Sequence, residues 1–260
     1  MQTFALVTGA SGGIGCELAK VLAKNGHNLI ITARRAAQLQ TLKQELESEY
    51  PVTVHTFPAD LSLSDTPVKI YNFISDQDLQ VDILINNAGI GDYGFFHHSN
   101  WNKQATMIDL NIKSLTHLTH LFLPAMVSRN HGYILNLAST AAFQPGPLMS
   151  VYYASKHYVL AFSEAISNEL KDTGVSVTVL CPGPTNTGFQ ETAAMEKSRL
   201  LDWFKPVESR KIAEFGYNQM IKGKRVAVQG MSDKIFSVLV RFIPRSLVLH
   251  AVRFIQQRNE

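Results

Sequence analysis

Apolar residues gather in short β-rich runs along this chain, separated by longer stretches with helical spacing. The runs fall at residues 4–7, 28–32, 52–57, 83–85, 133–137, 175–180 and 225–228, and the amphipathic stretches between them include 15–25, 36–49, 107–128 and 152–172. Strand alternating with helix predicts a parallel sheet with helices on both faces, because parallel neighbours are joined by crossovers that lie over the sheet. The expected architecture is α/β, a doubly wound sheet in three layers. No internal repeat, low-complexity tract or linker interrupts the rhythm, and 260 residues suffice for one such core.

Two segments depart from that rhythm. Residues 183–205 form a connection much longer than the usual run of about two to six. It carries Phe189, Met195, Trp203 and Phe204 and reads as a lid over the carboxyl edge of the sheet. Residues 1–230, lid included, are expected to form the main domain and 231–260 a basic, amphipathic helical extension. In the extension Pro244 separates two short apolar helices. Lys234, Arg241, Arg245, Arg253 and Arg258 against Asp233 and Glu260 leave a charge of +3, equal to that of the whole chain. One reading is an interfacial helix that makes peripheral contact with an acidic membrane and collects apolar material there. The favoured reading is a helix packed across a pocket or in a subunit seam, since a homodimer or homotetramer is the expected assembly.

Composition narrows the classes further. A dispersed net charge of +3 argues against a nucleic-acid partner. Cys16 and Cys181 match no metal-ligand spacing, so no metal is expected and reduced thiols are. The chain enters its first strand without a basic segment followed by an apolar one, and no apolar run approaches the ~20 residues needed to span a bilayer. The expected location is cytoplasmic, with membrane association if the extension docks.

The first strand ends at Thr8 and Gly9, and Gly13 and Gly15 open the next helix. In a Rossmann-type fold that turn lets backbone amides and the helix dipole meet a pyrophosphate, and glycines allow the close approach. An ordinary glycine-rich turn is the alternative for this motif taken alone. Arg34 and Arg35 follow the second strand, 19 residues after Gly15, where such a fold reads the adenosine ribose. An acidic residue there suits NAD; guanidiniums suit a 2′-phosphate, so NADP(H) is the expected cofactor. Asp60 and Leu61, after the third strand, fit adenine binding, and a plain capping role for Asp60 fits equally.

Tyr152 and Lys156 lie four residues apart on a predicted helix, hence on one face. A tyrosine near pKa 10 is a poor acid, and an adjacent ammonium together with the oxidised nicotinamide's charge is expected to lower that value and make Tyr152 a general acid. Ser139 follows the apolar strand at the sheet's carboxyl edge, where its hydroxyl is expected to polarise a carbonyl oxygen. Asn111 is placed to hold a water that resupplies the proton. Tyrosines on amphipathic helices are usually packing residues, and Tyr153 and Tyr158 read that way. Only Tyr152 has both a lysine four residues on and a serine thirteen residues before.

These motifs, together with the turn Asn86, Asn87, Ala88, Gly89 and the run from Pro182 and Gly183 to Thr187, resemble the short-chain dehydrogenase/reductase family over residues 3 to about 230. The Ala33, Arg34, Arg35 ending of the second strand resembles its NADP-preferring branch. The resemblance implies a catalytic tetrad of Asn111, Ser139, Tyr152 and Lys156. It implies that Gly9, Ser11, Gly13, Ile14 and Gly15 bind phosphates and that Asp60 binds adenine. It further implies that Asn87, Ala88 and Gly89 lie on the adenosine and ribose side, and that Thr187 meets the carboxamide. Ser114 departs from the family, which often has glycine at that place.

The function expected is hydride transfer between a nicotinamide and a carbonyl or secondary alcohol. Phe143, Leu148, Met149, Phe189, Met195, Trp203 and Phe204 are the candidate substrate walls, and without an arginine pair among them they point to an apolar ketone or aldehyde. The rival is a binding module that senses NADP without chemistry. An isomerase or epimerase would want a larger substrate domain.

Overall fold

A computed structural model describes residues 2–189, 193 and 206–257. Seven parallel strands form its sheet: β1 Thr3–Thr8, β2 Asn28–Ala33, β3 Val54–Pro58, β4 Gln80–Asn86, β5 Gly132–Leu137, β6 Val175–Cys181 and β9 Val226–Val228, in the order β3-β2-β1-β4-β5-β6-β9. A separate two-residue pairing joins β7, Thr185–Asn186, to β8, Val207–Glu208. The doubly wound α/β expectation holds.

The strands are apolar at successive positions because both faces are covered. Ala5, Val7, Leu29, Ile31, Ile83 and Ile85 pack on α1 (Gly13–Lys24), α2 (Ala36–Glu49) and α7 (Ser209–Ile221). The alternate residues Phe4, Leu6, Ile30 and Leu84 pack on α3 (Thr66–Asp76), α5 (Leu115–Ser128) and α6 (Ser150–Glu169). Successive side chains point to opposite faces, so one run of sequence feeds two cores.

The stretch expected as one helix over 107–128 begins earlier, with α4 at Trp101–Ile108, and reaches α5 through a π-helical segment at Asp109–Ser114. That wider turn carries Asn111 and Ser114, both buried. Ser114 Oγ has no hydrogen-bond partner among the described residues, so the departure from glycine there leaves a buried hydroxyl unsatisfied.

Strand order reverses at β1, whose neighbours β2 and β4 lead to opposite halves of the sheet. Such a switch point opens a crevice at the carboxyl ends of the strands. Buried amides knit this region: Asn86 Nδ2 donates to Thr119 Oγ1 (3.1 Å) and Asn136 Oδ1 (2.9 Å), and Asn136 Nδ2 donates to Ser163 Oγ (2.9 Å). The extension forms α8, Met231–Leu239, and α9, Arg245–Gln256, with Pro244 capping the second.

Candidate active site

One cleft of about 1070 Å³ runs along the carboxyl edge, and it gathers nearly every residue singled out in the sequence. Gly9, Ser11, Gly13 and Ile14 line its floor; Arg34, Arg35, Asp60 and Leu61 line one end; Asn87, Ala88 and Gly89 its middle. Ser139, Tyr152, Lys156, Pro182, Gly183 and Thr187 lie at the other end. Gly15 and Asn111 do not line it.

The glycine positions are dictated by close approach. Gly9 has φ 67°, in the left-handed region, and a Cβ there would lie 2.8 Å from Asn87 Nδ2. A Cβ on Gly15 would collide with the Gly9 carbonyl and the Asn87 amide. Gly15 thus holds α1 against the end of β1. Thr8, absent from the expected site, is its buried fastener: Asn87 N and Ala88 N donate to Thr8 Oγ1 at 2.9 and 3.0 Å, and that hydroxyl donates to the Ile85 carbonyl. Asn87 Nδ2 is spent on the Thr8 carbonyl at 2.8 Å, so its side chain shapes the turn.

Arg35 lies across the loop, its guanidinium donating to Ser11 O at 2.9 Å and Ser11 Oγ at 3.2 Å. Arg35 therefore places positive charge beside the glycine loop, and Arg34 borders the same cleft. Of the two roles open to Asp60, capping is realised: its Oδ1 accepts from Ser62 N at 2.9 Å and Ser62 Oγ at 2.7 Å. Asp60 nonetheless borders the cleft.

At the far end α6 presents Tyr152 and Lys156 on one face. Lys156 Nζ donates to the Leu137 carbonyl at 2.9 Å and lies 5.7 Å from the centre of the Tyr152 ring. Burial pulls the Lys156 ammonium down to about 8 and pushes the Tyr152 phenol up to about 12, the Ser139 hydroxyl opposing that rise. In the chain without cofactor, burial dominates both groups, and the oxidised nicotinamide's charge, part of the expected lowering of Tyr152, is not among the influences on them.

Asn111 sits behind the cleft. Its Nδ2 donates to Ile90 O (2.9 Å) and Ser155 Oγ (3.1 Å), its Oδ1 accepts from Ile90 N (3.0 Å), and Ser155 Oγ donates to Tyr152 O (2.7 Å). A side chain so occupied braces the turn after Gly89 and the first turns of α6, and a Cβ on Gly89 would lie 3.1 Å from Asn111 Oδ1 and 3.5 Å from Lys156 Nζ, so Asn111 and Lys156 flank the same turn. Ser155 is the partner that sequence reasoning missed; its signal was a small polar residue three places after Tyr152.

Among the expected walls, Met149 and Phe189 line the cleft, the latter with its ring centre 5.2 Å from that of Tyr152. Phe143 and Leu148 do not line it, and Met195, Trp203 and Phe204 lie outside the described residues. The missing wall comes from the extension: Val240, Leu247, Val248 and Val252 line the same cleft. Tyr153 packs with that wall as its bland reading implies, whereas Tyr158 is exposed, stacked on Phe162 and hydrogen-bonded to Thr116.

Residues 3–198 match the family model for short chain dehydrogenases. The chain belongs to the short-chain dehydrogenase family. It is 35% identical over 208 residues to 17-beta-hydroxysteroid dehydrogenase type 3 of Mus musculus, covering 78% of this chain and 67% of that protein. It is also 35% identical over 214 residues to very-long-chain 3-oxoacyl-CoA reductase-A of Danio rerio, covering 81% of this chain and 65% of that one. The chain thus spans about two thirds of the length of both relatives.

Among solved structures, a short-chain dehydrogenase from Sphingobium yanoikuyae in complex with NADPH superposes with a TM-score of 0.82 at 27% identity, covering 95% of this chain and 98% of that one. One from Burkholderia phymatum in complex with NAD has the same fold, with a TM-score of 0.82 at 21% identity over 100% of this chain and 97% of its own. This short-chain dehydrogenase is accordingly an oxidoreductase acting between CH–OH and C=O, on a fold that binds a nicotinamide cofactor.

Proposed function

We propose that this short-chain dehydrogenase is an NADP(H)-dependent carbonyl reductase for a bulky, apolar ketone or aldehyde. The observation that carries the reading is a single cleft with Arg34, Arg35 and the glycine loop at one end and Ser139, Tyr152 and Lys156 at the other. The glycine cradle that a Cβ would fill fits a pyrophosphate, and the paired guanidiniums fit a 2′-phosphate. Gly9, Ser11, Gly13 and Ile14 would hold the phosphates, Arg34 and Arg35 the ribose phosphate, and Thr187 the nicotinamide end. The bound cofactor supplies hydride to the carbonyl carbon.

The chain's own residues handle the oxygen and its proton. Ser139 hydrogen-bonds the carbonyl oxygen and orients it. Tyr152, with its pKa near 12, stays protonated at neutral pH and is ready to give its proton to the forming alkoxide, a stronger base than phenolate. Lys156, fixed by the Leu137 carbonyl, holds positive charge under the ring and steadies the phenolate left behind. Asn111 acts on these groups through Ser155 and Ile90. The apolar walls from Met149, Phe189, Val240 and Val252 lack a charged clamp and so fit an apolar substrate. The rival sensor finds no support, since both relatives are named as enzymes.

The test is NADPH consumption across carbonyls of graded size and polarity, with Tyr152→Phe beside the native chain. Turnover of bulky apolar ketones that the variant loses while still binding NADPH is the expected result. NADPH binding without turnover of any carbonyl would overturn it.

A further inference from the structure

The extension exposes more apolar surface than the cleft uses. Of eighteen large apolar side chains exposed on the described residues, ten lie between Met231 and Phe254, and seven of those ten stand outside the cleft lining. Phe242 is 79% exposed, Met231 72% and Leu247 59%. Phe95 adds to this face, with the Arg253 guanidinium 5.5 Å from the centre of its ring. Soluble monomers seldom show contiguous apolar surface on this scale without a use for it.

The helices are not loose ends that might fold inward. Val240, Val248 and Val252 are buried against Met149 and Tyr153. Gln256 closes the far end, its Nε2 donating to the Tyr153 hydroxyl and its carbonyl accepting from Tyr93 at 2.5 Å. The inner stripes of α8 and α9 are committed, so their outer apolar stripes must face whatever lies outside.

Charge decides between occupants. Lys234, Arg241, Arg245 and Arg253 are exposed around this face, and none joins an ion pair among the described residues. The only acidic residue of the two helices, Asp233, is half-buried and turned into the cleft beside Gly183. A second copy docked through this face about a twofold axis would bring two sets of these cations together, with no acidic side chain on the faces of α8 and α9 to offset them. An anionic lipid surface would instead match both the cations and the apolar side chains they surround. With helices of nine and twelve residues, the mode is lying on the surface.

We infer that α8 and α9 dock this protein on an anionic lipid bilayer, with the mouth of the cleft opening onto the docked face. Phe236, Ile243, Leu247 and Ala251 are exposed and line the cleft as well. An apolar substrate dissolved in the bilayer therefore has a path to Tyr152 between the two helices. That path rests on the reductase reading; the docking does not.

The test is flotation of the full chain with phosphatidylcholine vesicles, with and without about one third phosphatidylglycerol, in the absence of substrate. Binding to the anionic vesicles and release by about 0.5 M salt are expected. At roughly a factor of five per cation near the surface, Arg241→Gln with Arg245→Gln should lower partitioning about thirtyfold. Phe242→Ser should lower it by about tenfold or more. Neither variant touches the cleft lining, so NADPH binding and thermal unfolding should match the native chain and report intact folding. Equal binding to neutral and anionic vesicles, or indifference to salt and to the variants, would overturn the inference. So would a native dimer in light scattering that Phe242→Ser makes monomeric without any vesicle binding, which would assign the face to a second copy. Failure of the reductase reading would appear as lost turnover with vesicle binding intact.

Discussion

Lys156→Met should make the protein more stable and nearly inactive. The ammonium is buried at 5% exposure and its pKa falls from 10.5 to about 8, so the folded state holds this charge less well than the unfolded chain does. At about 1.36 kcal/mol per pKa unit, keeping it charged costs about 3 kcal/mol. Methionine has similar length and removes that cost, while leaving the Leu137 carbonyl without its donor returns about 1–2 kcal/mol. The net gain near pH 7 is about 1–2 kcal/mol, or several degrees in Tm at about 2–4 °C per kcal/mol.

The sign has a pH signature. Because the folded pKa lies below the unfolded one, the cost is fully present below about 8, shrinks as pH rises, and vanishes above 10.5. The stability difference between variant and native chain should therefore close across that window in urea titrations of the cofactor-free protein. Turnover should fall by about a hundredfold or more, since the charge that steadies the phenolate is gone. A variant that is less stable at neutral pH, with a difference that does not change from pH 8 to 10.5, would refute the reasoning.

Carbonyl reduction should weaken as pH rises through about 8, where Lys156 loses its proton while Tyr152, near 12, keeps its own. A rate profile flat to about pH 10 would count against a charged Lys156. Arg34→Ala and Arg35→Ala should each weaken NADPH binding about tenfold or more in calorimetry and leave NADH binding nearly unchanged, because the lost hydrogen bonds are charge-assisted ones to the 2′-phosphate; equal losses for both cofactors would assign the arginines to the loop alone. Gly15→Ala should cost about 1–3 kcal/mol in urea unfolding, since its Cβ meets the Gly9 carbonyl and the Asn87 amide, and a neutral result would show that the loop yields easily.

Much of the molecule was legible in the sequence because the signals are local. Strand alternation, the glycine turn and the four-residue step from Tyr152 to Lys156 each need only neighbours along the chain. They were enough for the doubly wound sheet and for Gly9, Gly13, Tyr152 and Lys156, all of which line the cleft. What stayed hidden depends on groups far apart in sequence. Thr8 acquires its role only when β1 and β4 pair and its hydroxyl meets the amides of Asn87 and Ala88. Gln256 reaches Tyr153 across 103 residues, and that contact helps fix the extension as a wall of the cleft. No local pattern in the extension specifies this contact.

The sequence by itself determined the layers of the sheet and the order of the chemistry along it, since periodicity and motif spacing are properties of adjacent residues. Tertiary structure decided the rest. It turned Asn111 into a brace behind the site, put one face of α8 and α9 against the cleft and the other toward the outside, and buried Tyr152 so that its phenol is pushed up in the chain without cofactor. That upward push has a plain cause. Desolvation is summed over every atom that displaces water from a group, and those atoms come from strands and helices that only the folded chain brings together.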